Sequence, residues 1–551
     1  MAPVSHFHIV WFKRDLRIAD HRPLTEATAA GAVLCLWVLE PSVWSAAEAH
    51  GSQLLFIDQS LAELDDALKA RGGGLTVLRG EVVEVLDQLR SLGARSDTGL
   101  AGLWSHEETG LEVTWARDRA VRSWSERHGV PWTEHRQFGV VRGLHNRDGW
   151  ASRWNRFMAD APLPAPGRLQ TAELDLGLKS DVAGLERLPR GGNDWGGFLP
   201  DAMLHPARPR AQTGGLTVGG NTLDAFLNER GRSYQKAMSS PLTAPSACSR
   251  LSPHLAYGTV SLRTVHHAVE EVAAELKDEG TSLRERPARP GSTTEWRRAL
   301  GSFRKRLRWH DHFIQKLESE PEIEFRNMSR AYDGLRDEDE AGWDAETRFR
   351  FEAWTAGRTG YPMVDACMRY LDATGWINFR MRAMLVSFAA YHLWLHWRPV
   401  ARVLAQRFVD FEPGIHYPQC QMQSGVTGIN ALRIYSPAKQ LLDHDPDGRF
   451  VRKWVPELRA VPSELLSEPH LMSRGVQEQV GCVIDRDYPA PLVDHRTAYR
   501  RARARIGTIR KTAEAREESQ RVYRRHGSRK RGRRAALSRR PRSTEQLALD
   551  V

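Results

Sequence analysis

The stretch FVDFEPGIHYPQCQM at residues 408–422 places two carboxylates and an imidazole, Asp410, Glu412 and His416, among bulky apolar residues. Three further motifs flank it: WTAGRTGYPMVDACMRYL at 354–371, TGWINFRMR at 374–382 and DPDGRFVRKWVPEL at 445–458. The second motif ends in a cation, Arg382. Charges in such apolar surroundings are costly to bury unless they pair with each other or with a polar ligand. The combination predicts a buried site for a polar, redox-active ring system.

The first 142 residues alternate between predicted strands and helices. Short apolar runs recur as HIVWF at 8–12, AVLCLWVL at 32–39, LTVL at 75–78, GLWSH at 102–106 and VPWTEH at 130–135. Between the second and third runs, leucines and an isoleucine at positions 54, 57, 61, 64 and 68 form one apolar helical face. This βαβ rhythm predicts an α/β domain over residues 1–142, with a doubly wound parallel sheet.

The remaining sequence divides into three parts. Residues 143–215, rich in Pro, Gly and Arg, predict a surface linker, and amphipathic stretches over 216–500 predict a mostly helical domain. Residues 501–551 hold 17 Lys or Arg against 5 Asp or Glu, a net charge of +12 in a chain whose total is +11, so residues 1–500 carry −1. This composition predicts a disordered basic tail that binds DNA phosphates without specificity. A solubilising extension is the alternative.

Cysteine spacing and hydropathy exclude several classes of protein. The five cysteines have no paired short spacing, which argues against a disulfide framework, a zinc site or an iron–sulfur cluster, so no metal is expected. No apolar run approaches the ~20 residues of a membrane span, and the N-terminus lacks the pattern of a signal peptide. We therefore expect a soluble, unprocessed, cytoplasmic protein with no membrane partner. We also expect it to be a monomer.

With the N-terminal HIVWFKRDLRIADHRPL at 8–24, these motifs resemble the DNA photolyase and cryptochrome flavoprotein family over most of residues 7–460. The resemblance implies that the helical domain binds FAD and that the α/β domain can seat a second, antenna chromophore. The sequence contains no residue set that identifies such an antenna.

The segment SYQKAM at 233–238, followed by PSACSRLSPHLAYGTVS at 245–261, puts Ser249 and Ser252 at a predicted helix start. These serines could hold a pyrophosphate, although helix capping is the commoner role of serine. The resemblance assigns six residues to the phosphate side of FAD: Tyr234, Cys248, Ser249, Arg250, Leu251 and Ser252. Cys248 stands where family members usually have a hydroxyl residue. The resemblance also implies that Phe303, Phe411 and Glu412 contact FAD. It further implies that Arg382 and Asp410 form an ion pair beside the isoalloxazine ring. His416 then faces the flavin N5 edge, where its donor or acceptor state would tune the flavin.

Two sets of residues depart from the family pattern. Family members photoreduce their flavin through three tryptophans, and Trp397 and Trp343 match the middle and outer members, whereas the innermost position is Cys420. A thiol interrupts this route, and Trp309, Trp354, Trp376, Trp394 or Tyr417 could supply a detour.

The residues expected to face the lesion also differ. Trp309 keeps the family's DNA-facing aromatic, but Arg306 replaces an acid and His310 an arginine. A run of basic residues predicts a surface that binds DNA phosphates: Arg304, Lys305, Arg306 and Arg308. A helix face exposed to solvent is the alternative.

These features favour FAD-dependent, blue-light-driven electron transfer that repairs pyrimidine dimers in ultraviolet-damaged DNA, the carbon–carbon lyase reaction of a photolyase. A cryptochrome-like photoreceptor without repair activity is the main alternative, because the lesion pocket is altered. A DNA-binding protein that keeps flavin only as a structural element is a third hypothesis, suggested by Cys420.

Overall fold

The computed structural model describes residues 5–95, 98–172, 186–187, 208, 210–282 and 293–528. The N-terminal region forms an α/β domain and the following region is helical, as the sequence predicts. Within the described ranges, no helix combines the length and apolar character needed to cross a membrane.

The N-terminal domain is built on a parallel sheet with strand order β5-β4-β1-β2-β3, to which β6 adds as an antiparallel edge. Its strands are β1 (Ser5–Phe12), β2 (Ala32–Leu39), β3 (Leu75–Arg79), β4 (Thr98–His106), β5 (Trp132–His135) and β6 (Glu186–Arg187). The helices here are α1 (Arg22–Ala30), α2 (Pro41–Trp44), α3 (Gly51–Lys69), α4 (Val82–Arg95), α5 (Glu112–His128) and α6 (Trp150–Ala159). The doubly wound parallel sheet is therefore confirmed.

The strands form because their apolar runs are covered on both faces. In β1, Val10 and Phe12 enter one core with helix α3, while Ile9 and Trp11 enter a second core with α4 and α5. The predicted apolar face of α3 is buried in the first of these cores. Strands buried on both sides read as continuous hydrophobic runs, which explains why the sequence located them.

The helical domain follows from α7 onward. Its helices are α7 (Leu216–Asn228), α8 (Tyr234–Ala237), α9 (Ala244–Ala247), α10 (Ser252–Ala256), α11 (Leu262–Ser282), α12 (Thr293–Ser319), α13 (Ala345–Thr355), α14 (Pro362–Thr374), α15 (Phe379–Ser387), α16 (Trp397–Arg407), α17 (Pro413–Ser424), α18 (Pro437–His444), α19 (Arg449–Trp454), α20 (Arg474–Gln479), α21 (His495–Arg510) and α22 (Ala513–His526). Residues Phe388–His392 continue α15 as a π-helical turn. A large core formed mainly by α14–α17 holds the domain together.

Part of the predicted linker is packed structure. Helix α6 lies within 143–215, and both of its buried tryptophans bond to α12: the indole N–H of Trp154 donates to Asp311 at 2.8 Å, and that of Trp150 donates to Gln315 at 3.1 Å. Most of the predicted linker beyond residue 172 lies outside the described residues. The boundaries at 142 and 215 stay predictions.

The predicted disorder from residue 501 is wrong for the described part of that segment. Helices α21 and α22 bury Ile506 and Val522 completely. Basic side chains of α22 surround the buried Glu320 at the end of α12, with His526 Nε2 at 2.5 Å and Arg521 at 3.4 Å from its carboxylate. The arginines therefore find acids on neighbouring elements, which a count of charge along the tail does not show. Residues 529–551 lie outside the described residues.

A buried ionic contact joins the two domains. Arg263 of α11 donates to Asp20 at 2.6 Å, and the Ser261 hydroxyl donates to the same carboxylate at 2.6 Å. Because both charges are almost fully buried, each depends on the other for solvation.

We predict that Arg263→Ala destabilises the fold by about 3–5 kcal/mol, because it leaves the Asp20 carboxylate buried without its cation. Urea denaturation followed by circular dichroism measures the loss. Arg22→Ala is the matched control, since Arg22 pairs with Glu26 on the exposed face of α1, where a pair contributes about 0–1 kcal/mol. Equal effects of the two substitutions would contradict the prediction.

Candidate functional site

A cavity of about 970 Å³ opens in the helical domain between α8, α10, α12, α15 and α17. Its volume lies at the upper end of the range for pockets that bury a single ligand, about 300–1,000 Å³. Fourteen of the residues predicted for the site line it: Tyr234, Cys248, Ser249, Arg250, Ser252, Phe303, Arg306, Trp309, His310, Arg382, Asp410, Phe411, Glu412 and His416. Motifs from nearly 200 residues of sequence therefore meet around one space.

Three predicted residues lie outside the cavity wall. Leu251 is fully buried and precedes α10 as its N-cap residue. Trp397 is also fully buried, and its indole N–H donates to the Asn327 side chain at 2.8 Å. Trp343 packs against Phe351, with ring centroids 5.1 Å apart. The relay role of the two tryptophans stays a prediction.

The predicted ion pair is formed on the cavity wall. Arg382 donates to Asp410 at 2.7 Å and to the backbone carbonyl of Ile377 at 2.7 Å, while its guanidinium lies 4.0 Å from the Phe408 ring centroid. Only one carboxylate oxygen of Asp410 is used. The other oxygen, Oδ1, is buried without a hydrogen-bond partner among the described residues. A buried acceptor in this state needs a donor from a bound molecule or water.

The second acid of the motif is tied to the N-terminal domain. Glu412 forms a salt bridge with Arg14 at 3.1 Å. Its carboxylate also caps α17 by accepting a hydrogen bond from the backbone N–H of Gly414. Burial raises the pKa of Glu412, and the Arg14 charge opposes that rise. This carboxyl can therefore hold a proton more readily than an exposed glutamate.

His416 stands one turn into α17 with a defined tautomer. Its Nε2 lies 2.8 Å from the backbone carbonyl of Ala401, which can only accept, so Nε2 carries the proton. Burial lowers the pKa of His416 to about 4, so the ring is neutral at physiological pH and Nδ1 keeps its lone pair. The two nitrogens thus have distinct roles, which the sequence left open.

Neither serine of the predicted phosphate segment caps α10, because the N-cap position is Leu251. The Ser252 hydroxyl instead accepts from the Trp376 indole N–H at 3.2 Å. Arg250 adopts a left-handed backbone conformation, φ 62°, and its guanidinium lies 3.8 Å from the Trp376 ring centroid. Strained backbone of this kind is typical of ligand sites. The arrangement holds a cation against the cavity, where it can face an anion.

The predicted basic run on α12 does not act as one surface. Arg306 points to the cavity, with its guanidinium 5.4 Å from the Trp309 ring and 5.8 Å from that of the exposed Phe379. Arg304 instead pairs with Glu270 of α11, and Arg308 donates to Asn155 of α6. Helical periodicity separates these neighbours in space.

Other basic residues that the sequence analysis missed surround the cavity. They come from segments far apart in the chain, and no local pattern connects them: Arg232, Lys236, Arg298, Arg380 and Arg433. Two acids, Glu295 and Asp443, also line the wall, so the rim has an excess of positive charge.

Unpartnered polar atoms test whether the cavity suits a large polar ligand. Among the described residues, five buried side-chain atoms of cavity-lining residues have no hydrogen-bond partner: Arg250 Nη1, Asn378 Oδ1, Arg380 Nε, Asp410 Oδ1 and Gln419 Oε1. They supply two charged donors and three acceptors. A molecule with an anionic group and several ring donors would satisfy them, and the apolar part of the wall would cover its rings.

Comparison with known families agrees with this geometry. Residues 8–142 match the model described as DNA photolyase, and residues 303–508 match the model described as the FAD binding domain of DNA photolyase. A deoxyribodipyrimidine photo-lyase of Agrobacterium fabrum is 28% identical, over 92% of this chain and 98% of that protein. Cryptochrome-1 of Arabidopsis thaliana is 27% identical, over 88% of this chain and 68% of that protein.

A solved structure shows the same architecture. The bacterial class III photolyase from Agrobacterium tumefaciens superposes with a TM-score of 0.73 at 26% identity, covering 93% of this chain and 99% of that one.

We predict that Arg382→Ala weakens FAD binding about 10- to 100-fold, because it leaves the buried Asp410 carboxylate unpaired beside the ligand. Fluorescence titration of apoprotein with FAD measures the affinity. Arg402→Ala is the control, since Arg402 pairs with Glu340 at a half-exposed site on α16. The double change Arg382→Ala with Asp410→Asn removes both charges and should recover part of the loss. Unaltered affinity in Arg382→Ala would place the ligand elsewhere.

Proposed function

Because the chain belongs to the DNA photolyase and cryptochrome family, we propose that it binds FAD in the cavity and uses blue light to repair pyrimidine dimers in DNA. The observation that carries the proposal is the cavity itself, in which the pair of Arg382 with the buried Asp410, a neutral histidine and a basic rim converge. When bound, reduced FAD supplies one electron to the dimer and regains it after the ring opens.

The residues deep in the cavity would hold the cofactor. Arg250 would neutralise phosphate charge, while Asp410 Oδ1 would accept a hydrogen bond from the ring system. His416 would present the Nδ1 lone pair, so it acts as an acceptor and not as a donor. The surrounding aromatic rings, Phe408 and Phe411 among them, would exclude water from the ring system.

The residues at the mouth would hold DNA. A dimer must leave the base stack to reach a buried cofactor, and the basic rim can bind the backbone on both sides of the flipped nucleotides. Trp309 and Phe379, both near the Arg306 guanidinium, offer faces on which bases stack. The basic segment 529–551, outside the described residues, would add non-specific phosphate contacts. We expect the protein to act as a cytoplasmic monomer, and a second, antenna chromophore in the N-terminal domain stays a prediction.

One observation favours a cryptochrome-like receptor as the second candidate. Arg306 and His310 stand where repair enzymes of the resembled family use an acid and an arginine, so the mouth is chemically altered. Light-dependent removal of cyclobutane dimers from an oligonucleotide, beside a dark control and with chemically reduced flavin, decides between the two functions. Repair supports the photolyase function, and its absence with bound, reduced flavin supports the receptor.

We predict that Trp309→Ala lowers affinity for a dimer-containing oligonucleotide about 5- to 150-fold, because one stacking face is worth about 1–3 kcal/mol. Fluorescence anisotropy measures binding. Trp309→Phe keeps an aromatic face and should retain most of the affinity. Equal losses in the two variants would show that stacking at Trp309 is not used.

We also predict that Arg306→Ala reduces the slope of log affinity against log salt by about one, because one phosphate contact is lost. The neighbouring Arg304→Ala should leave the slope unchanged, since Arg304 pairs with Glu270 away from the cavity. A larger effect of Arg304→Ala would contradict this orientation of α12.

A further inference from the structure

We propose that Tyr417 and Glu48 form a proton-coupled electron donor to the photoexcited flavin, beside the position where Cys420 stands. This inference rests on the proposed function, because it requires flavin in the cavity.

The two side chains form a buried pair across the domain interface. The Tyr417 hydroxyl donates a hydrogen bond to Glu48 Oε1, and the two residues are 369 positions apart in the chain. Tyr417 is 1% exposed and lies on α17, while Glu48 lies between α2 and α3 of the N-terminal domain. Burial and the neighbouring Glu48 charge raise the pKa of Tyr417 well above its usual value, so the phenol keeps its proton at rest.

Tyr417 lies one ring behind the cavity wall. Its ring centroid is 5.5 Å from that of His416 and 6.4 Å from that of Phe411, and both of these residues line the cavity. On another side it is 6.0 Å from the fully buried Trp397. The phenol therefore connects the cavity to an indole in the protein interior.

The wall residue on the same helix is a poorer donor. Cys420 lines the cavity one turn after His416, with Sγ 3.7 Å from His416 Nε2. Burial raises the pKa of Cys420, so the thiolate, the form that reacts, is not populated. Among the described residues that contact His416, Tyr417 alone combines an oxidisable side chain with a base that can receive its proton.

The transfer balances in protons and electrons. One electron leaves the Tyr417 phenol and reduces photoexcited, oxidised flavin by one electron. The phenol O–H bond breaks, its proton forms an O–H bond on Glu48, and a neutral tyrosyl radical remains. Because the hydrogen bond already lies along this path, the proton moves only within the pair.

A purely structural role makes a different prediction. If the pair only fastens the two domains, removing it lowers thermal stability and leaves light-induced radicals unchanged. Tyr488 provides a matched control, because its buried hydroxyl also donates to a buried carboxylate, Asp365, at 2.6 Å.

The experiment uses the full-length holoprotein with oxidised flavin, illuminated and freeze-trapped for electron paramagnetic resonance. Protein labelled with ring-deuterated tyrosine should give an early radical with a narrower spectrum, whereas ring-deuterated tryptophan should not narrow it. Tyr417→Phe should remove this radical and slow flavin photoreduction at least tenfold. Glu48→Gln should slow it similarly, because an amide cannot take the proton. Tyr488→Phe should do neither.

Repair separates this inference from the function it rests on. Tyr417→Phe loaded with chemically reduced flavin should repair dimers like the unmodified protein, since the donor is then not needed. A radical that narrows only with labelled tryptophan, or one that persists in Tyr417→Phe, overturns the tyrosine donor while leaving the photolyase function intact. Protein that binds no flavin overturns both. If Tyr417→Phe does not fold, the labelling result on the unmodified sequence still decides.

Discussion

The structure depends on satisfying charges that the cavity forces into the protein interior. Arg382 and Asp410 form one pair on the wall, and Arg14 reaches from the N-terminal domain to Glu412. An unpaired charge at either place would cost several kcal/mol, so α15, α17 and the N-terminal domain must sit in one arrangement. The same pairing leaves Asp410 Oδ1 buried without a hydrogen-bond partner among the described residues, so a bound molecule can supply the missing donor. The ion pairing that the fold requires thus also leaves a hydrogen-bond acceptor for a ligand at the cavity.

The fold could be predicted wherever one chain segment carries its own signal. The strands were found because both of their faces are buried, which gives continuous apolar runs at 8–12 and 32–39. The C-terminal helices were missed because net charge along the tail hid a sparse apolar face. Ala498, Ala502 and Ile506 lie on one side of α21 and are buried there. Their spacing of four residues was the sequence signal that could have predicted this helix. Acids that pair with arginines of the tail, such as Glu320, lie on other elements, so the charge count of the tail did not include them.

The site divides in the same way. Residues inside the contiguous motifs, such as Asp410 and His416, were located because the motif fixes their spacing around the start of α17. The basic rim was not located, since Arg232, Arg298 and Arg433 come to line one cavity only after folding. The run at 304–308 shows the converse error, because residues adjacent in sequence face different partners on a helix. The tautomer of His416 also needed the structure, since a carbonyl from α16 determines it.

The contacts that join the two domains also lie beside the cavity proposed to hold the flavin. The N-terminal domain reaches the cavity through Arg14, and Glu48 reaches the phenol directly behind the wall. The amide of Gln53 adds bonds to the carbonyls of Ala405 at 3.0 Å and Phe408 at 3.2 Å, which fix the end of α16. Each of these contacts both joins the domains and sets the position or charge of a group near the cavity. If flavin occupies the cavity as proposed, a change in how the domains meet alters the electrostatics around it, and the α/β domain is then part of the redox site whether or not it binds a chromophore of its own.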